Sequence, residues 1–170
     1  MHGVKHLVFV TVGNATQGFR RLLEGVDAIA GRGFFNNDSV IIQSGNNPDF
    51  RALHCKQENF IPIDQFTQLI REAALIICHA GAGTLIHVLH AGKVPVVMPR
   101  RKQYGEHVDD HQVELVKALA VEGRIILAYE PEDLPEAIAE ARRRNKQPMP
   151  PPPSQMLQLV AKAIEELIKN

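Results

Sequence analysis

Short runs of branched and aliphatic residues recur along the chain: HLVFVTV (6–12), SVIIQS (39–44), ALIICH (74–79), VPVVMP (94–99) and RIILAY (124–129). None keeps the strict apolar–polar alternation of a strand with one wet face, so each is expected to be a strand buried on both sides. Between them the apolar positions return at helical spacing over Gln17–Ala30, Ile63–Ala73, Thr84–His90, Asp109–Ala120 and Glu132–Arg144. Strands alternating with helices predict βαβ crossovers, hence an α/β fold with a doubly wound parallel sheet. Ligands of such sheets sit outside the carboxyl ends of the strands. That rule gathers TVGNATQG (11–18), QSGNNPD (43–49), CHAGAGT (78–84) and MPRRKQYGEHVDDHQ (98–112) on one rim.

The pattern changes after residue 146. QPMPPPPSQ (147–155) supports no regular hydrogen-bonded structure and is expected to run as a stiff strut. Beyond it Leu157, Val160, Ala161, Ile164, Leu167 and Ile168 repeat at helical spacing behind Ser154, a reasonable cap. The chain thus divides into a ligand-binding domain (1–146), a proline-rich linker (147–153) and an amphipathic C-terminal helix (154–170). That helix either folds back onto its own sheet or docks on a partner.

Composition narrows the classes. With 170 residues, 45% of them hydrophobic, the chain is sized for one substantial core. Nineteen basic and nineteen acidic residues cancel, so net charge offers no reason to expect nucleic acid. No run approaches the length of a membrane span, and the apolar start ends at a glycine with no small-residue cleavage site. Two cysteines, Cys55 and Cys78, suit a reducing cytoplasm better than a disulfide framework. Cys78 closes an apolar run and reads as a small buried hydrophobe.

The rim segments carry the chemistry. Gly81 and Gly83 let the backbone approach a ligand closely, and Thr84 is expected to open a helix whose amide dipoles suit a diphosphate. A tight turn alone explains the same residues. The motif is neither a dinucleotide fingerprint, since Ile86 stands where the third glycine would, nor a phosphate loop with a following lysine. The segment 99–112 gathers Arg100, Arg101 and Lys102 with Asp109, Asp110, His111 and Gln112. Its cations suit a departing diphosphate, and its carboxylate and amide groups suit sugar hydroxyls. An exposed charged loop ending in a helix cap accounts for much of it without function. His79, His87, His90, His107 and His111 raise a metal reading, but no spacing among them supplies three or four convergent ligands, and no metal or cofactor is expected.

HAGAGT after a buried run, then GKVPVVMPR, then GEHVDDHQ before a helix, resemble in order and spacing the C-terminal, donor-binding domain of family 28 glycosyltransferases. The likeness runs from FVTVG to the helix after DDHQ and is nearest to that family's small stand-alone subunits, which serve dolichol-linked and exopolysaccharide glycosyl transfer. It implies a single Rossmann-like half of a GT-B fold. It places Gly13, Asn14, Gly81, Ala82, Gly83 and Thr84 at the diphosphate of a UDP-sugar, Phe60 and Ile61 at the nucleobase, and Asp110 with Gln112 at the donor sugar. His87 stands where the family usually has the carboxylate that holds the ribose. Arg100 and Lys102 are the candidates for offsetting the charge of the leaving group. A base on this chain would be His79 or His111, though the resemblance assigns that task to a second, acceptor-binding subunit, membrane-associated because its acceptor is a lipid-linked sugar. A non-catalytic nucleotide-sugar-binding module is the alternative.

Overall fold

The structure is a computed structural model that describes residues 3–147, 149–155, 157–158 and 160–162; the side chain of His111 and the helix positions expected at Ile164, Leu167 and Ile168 lie outside the described residues. In chain order the elements are β1 (Leu7–Thr11), α1 (Arg20–Gly31), β2 (Ser39–Gln43), β3 (Lys56–Glu58), α2 (Ile63–Glu72), β4 (Leu75–His79), α3 (Ala82–His90), β5 (Val96–Met98), α4 (His111–Val121), β6 (Ile126–Leu127) and α5 (Leu134–Arg144). Six strands form one parallel sheet in the order β3-β2-β1-β4-β5-β6. The order reverses between β1 and β4, where the crossovers diverge to opposite faces and leave a crevice.

The uninterrupted apolar runs have the expected cause. Val8 and Val10 of β1, Leu75 and Ile77 of β4, and Val96 and Met98 of β5 pack with Leu22, Leu23 and Val26 of α1 and Leu134 and Ile138 of α5. The intervening Phe9, Ile76, Cys78 and Val97 turn to the other face, against Ile70 of α2, Leu85, Val88 and Leu89 of α3, and Val116 and Leu119 of α4. Every strand in the middle of the sheet therefore has two dry faces. The tail adds to the second layer: Met149 N donates to Gly92 O, Arg124 donates to Pro150 O, and Leu157 and Val160 are buried among the residues of that core.

α3 opens at Ala82, two residues before the expected Thr84, and two further departures from the sequence reading have evident causes. Lys56–Glu58 is a strand although Lys56 and Glu58 are exposed, because it pairs with β2 at the sheet edge and has no core to line. And α1 begins at Arg20, three residues after the expected Gln17, because the backbone before it is claimed by distant side chains. Phe19 N donates to Asn47 Oδ1 (2.7 Å), and Gln17 O accepts from Arg100 Nη1 (2.8 Å).

Phe9 is wholly buried and meets Phe66 edge-to-face at 5.6 Å, so Phe9→Ala is expected to cost about 3–5 kcal/mol. Leu157→Ala is expected to cost about 2 kcal/mol or more if the tail is integral to the second layer. Urea unfolding of both variants checks this; an unchanged midpoint for Leu157→Ala would make the tail an accessory.

Candidate functional site

The carboxyl ends of β1, β2 and β4 converge at the reversal of strand order. Beyond β1 the chain turns through Gly13, whose φ of 70° is unfavourable for any side-chain-bearing residue, and its amide donates to Thr11 Oγ1 (3.2 Å). Thr11 in turn donates to Gln43 Oε1 (2.8 Å), a buried bond joining the ends of β1 and β2. Asn46 Nδ2 donates to Asn14 O and Ala15 O (both 3.0 Å), and Asn47 Nδ2 to Ser44 O (2.7 Å). Gly45 lies so close beneath the β1 loop that a Cβ there would come within 2.3 Å of Gly13 O. The two loops behave as one wall.

The other wall starts at His79, the last residue of β4. Its ring is 8% exposed and wedged between two glycines: a Cβ on Gly13 would fall 2.4 Å from Nε2, and one on Gly81 would fall 2.0 Å from Cε1. Nε2 lies 3.4 Å from Thr84 Oγ1, and Nδ1 is buried with no hydrogen-bond partner among the described residues. Burial first, then the nearby Arg100 charge, pushes its pKa down from 6.5 to about 3. A ring that stays unprotonated to such acidity is poorly matched to proton abstraction near neutrality, which corrects the expectation of His79 as a base.

After His79 the chain enters α3 with Gly81 as N-cap and no side chain capping it; the first helical bond is Leu85 N to Gly81 O (2.9 Å). Among the described residues no hydrogen bond occupies the amides of Ala82, Gly83 or Thr84, so three donors and the positive end of the helix remain available. Gly83 is exposed, and a Cβ on it would meet nothing within 4 Å. The glycines of HAGAGT thus differ in purpose. Gly81 makes room for His79, while Gly83 leaves open space over free amides.

The remaining candidates sit around this crevice with differing freedom. His87 is exposed on α3, its ring 6.1 Å from that of Phe66, which links it to α2. Phe60 is exposed and Ile61 half-buried in the segment between β3 and α2. Asp110 is the N-cap residue of α4 and accepts Lys102 N on Oδ1 (3.0 Å); the two, with Asp109 and Glu114, line a depression of about 310 Å³. Gln112 keeps a buried Oε1 without a donor among the described residues. Lys102 has an exposed side chain.

Arg100 corrects an expectation. It is 1% exposed, donates Nη2 to Val12 O (2.9 Å) and Nη1 to Gln17 O (2.8 Å) and Glu106 O (3.3 Å), and lies over the Phe19 ring at 4.9 Å. Burial lowers its pKa to about 10, so it remains a cation, but one spent on the protein's own carbonyls. Arg21 and Glu106, which sequence reasoning passed over, extend this network; they stand 85 residues apart, and no local pattern joins them. Both thiols are unreactive: burial, joined at Cys55 by Asp27, raises each to about 12. A hollow of about 500 Å³, lined by His6, Val8, Asp38, Lys93 and Arg142 among others, lies at the opposite, amino end of the strands.

The glycosyltransferase family 28 C-terminal domain model matches residues 7–167. A UDP-N-acetylglucosamine–N-acetylmuramyl-(pentapeptide) pyrophosphoryl-undecaprenol N-acetylglucosamine transferase of Geobacter sulfurreducens is 37% identical over 81 residues, covering 48% of this chain and 21% of its own length. The chain therefore spans only about a fifth of that curated relative. Among solved structures, ALG13 superposes at a TM-score of 0.60 with 18% identity, covering 95% of this chain and 98% of its own. The MurG of Acinetobacter baumannii gives 0.57 with 23% identity, covering 97% of this chain and 51% of its own, and the glycotransferase of kitacinnamycin gives 0.62 with 16%, covering 98% and 40%. At these identities the superpositions establish the Rossmann-like half-domain fold.

Gly81→Ala forces a methyl into a ring pinned from both sides and is expected to destabilise the fold by about 1–3 kcal/mol, whereas Gly83→Ala, in open space within a helix, is expected to be neutral or stabilising by up to about 1 kcal/mol. Acid sensitivity should follow His79. The unfolded chain takes up a proton below 6.5 while the folded one does not until about 3, so stability falls as pH drops through that window, by about 1.4 kcal/mol per unit. His79→Asn should remove one proton's worth of that slope, read from urea midpoints between neutral and acidic buffers; an unaltered slope would mean the ring protonates in place.

Proposed function

The chain belongs to the glycosyltransferase family 28 C-terminal domain family, and on that premise we propose that it is the donor-binding subunit of a two-subunit, inverting, UDP-sugar-dependent glycosyltransferase acting on a lipid-linked saccharide. The observation that carries the reading is the set of unoccupied amides at Ala82, Gly83 and Thr84, presented at the reversal of strand order beside an open Gly83. A diphosphate supplies the acceptor oxygens and negative charge that such a helix terminus lacks.

In this reading Gly13 and Asn14 form the facing wall for the diphosphate, Phe60 and Ile61 lie against the nucleobase, and His87 takes the ribose side of α3. Asp110 and Gln112 face the donor sugar. An acceptor hydroxyl attacks the anomeric carbon from the side opposite the diphosphate; its proton passes to a base, and the bond from that carbon to the phosphate oxygen breaks with the electron pair leaving on UDP. Stabilising that departing charge is this chain's task, through the α3 amides and the Lys102 ammonium. The family resemblance gives the base to the partner, and the closed-off ring of His79 favours that over His79 itself.

The incomplete half is also consistent with the surface. Phe60, Ile63, Tyr104 and Val108 are 54%, 62%, 47% and 68% exposed, and all four lie in segments that follow carboxyl ends of strands. Apolar side chains gathered on a rim favour a covering surface. The lipid-linked acceptor is drawn from the family resemblance and from the undecaprenol named for the Geobacter sulfurreducens relative. Among the described residues no helix is long and apolar enough to cross a membrane; the family resemblance gives recruitment to the cytoplasmic membrane face to the partner.

Calorimetry with UDP tests the central assignment: wild type should bind and Gly83→Val should lose about 1.4 kcal/mol or more, a tenfold change, with near-normal unfolding. Equal affinity in the two would remove the diphosphate from α3. Transfer should be absent for the isolated chain and appear with its acceptor subunit; turnover by the purified chain alone would refute the divided enzyme.

A further inference from the structure

We propose that Glu106 is a positioning residue of the donor crevice: its buried carboxylate ties the loop bearing Lys102 and Asp110 to the first turn of α1, its carbonyl reaches the loop bearing Gly13 through Arg100, and together they set the spacing of those two loops. Glu106 is 4% exposed and accepts on both oxygens, Oε1 from Arg21 Nε (2.9 Å) and Oε2 from Arg21 Nη2 (2.9 Å) and from the amide of Arg101 (3.0 Å). Its own carbonyl accepts from Arg100 Nη1 (3.3 Å), and the same guanidinium holds Val12 O and Gln17 O. Val12 directly precedes Gly13, so the path from the Glu106 backbone to the glycine wall has a single side chain in it.

The second guanidinium completes the tie. Arg21 donates from the first turn of α1 to Pro99 O (3.1 Å), to Tyr129 O and to Glu130, and lies over the Tyr104 ring at 4.7 Å. Arg101 reaches Glu130 as well (3.3 Å), which holds the start of the loop from its outer side. Two guanidiniums packed against Phe19 repel each other, and Glu106 is the most buried carboxylate between them. Neutralising it leaves both cations short of a counter-charge in a largely buried place.

Where the bonds end is what separates positioning from general stabilisation. Val12 O, Gln17 O, Pro99 O and Arg101 N all belong to the rim segments after β1 and β5, and Gly105, with φ of 68°, lets the chain turn back so that Glu106 points inward. Among the described residues none of these groups bonds to the α3 amides, so the network acts through the loops it holds. The coupling of the loops stands on geometry alone; its consequence for the donor rests on the nucleotide-sugar reading above.

Hydrogen exchange on the full chain tests the coupling. In Glu106→Gln, amides of residues 12–19 and 101–110 should both exchange about fivefold faster or more, with β1 and β4 unchanged. Arg100→Lys keeps the charge but loses the fork, and should loosen 12–19 and the backbone around Glu106 while residues 101–104 stay held by the intact carboxylate, which keeps the test decisive if Glu106→Gln does not fold. Acceleration confined to 101–110, or spread evenly over the chain, overturns the proposal. Calorimetry with UDP, UDP-glucose, UDP-N-acetylglucosamine and UDP-glucuronate reads the consequence: Glu106→Gln should weaken the preferred UDP-sugar about fivefold or more and UDP less than about twofold. Parallel losses for both, or none for either, contradict it. Should wild type bind no nucleotide, the donor assignment fails by itself while the exchange data still decide the coupling.

Discussion

A single imidazole sets the terms at the strand reversal. Because the His79 ring occupies the gap between the β1 and β4 turns, residues 13 and 81 have to be glycine whatever the ligand, and the two walls can come together only as far as the ring allows. Its buried Nδ1 without a partner is a local cost, borne where a close approach of backbones is wanted. The crevice is thus shaped by packing from below, while Gly83 alone of the HAGAGT glycines is shaped for what lies above.

Around that point the rim is held by side chains that bond to backbone. Asn46 and Asn47 fasten the β2 turn to the β1 turn and to the start of α1, and Arg100 and Arg21 fasten the β5 loop to the same segment. A site of this kind is assembled on loops yet inherits the rigidity of the sheet beneath it. Among the described residues the α3 amides and Gln112 Oε1 are left without partners, as are His79 Nδ1 and Arg100 Nε deeper in the structure.

The central strands and all five principal helices were legible because burial on two faces writes an unbroken apolar run, and burial on one face writes a helical stripe. Lys56–Glu58 was not, since an edge strand paired on one side needs no apolar residues, and its three positions carry no apolar run. The rim loops could be ordered from sequence, but the condition of their side chains could not. Arg100 looks like one of three exposed cations until its partners are known, and those partners are 83 and 88 residues away. His79 likewise follows a strand as a ligand residue might, and only the proximity of Gly13 closes it off. Position follows local pattern, whereas availability is decided by tertiary neighbours.

The sheet ends on one side in β3, three residues long with two charged side chains outward, and on the other in β6, two residues long. Margins so short present few unpaired main-chain groups to a foreign strand, so growth by β-augmentation gains little. The surfaces this fold offers at length are instead its loop rim and its helix faces, neither of which depends on a free strand.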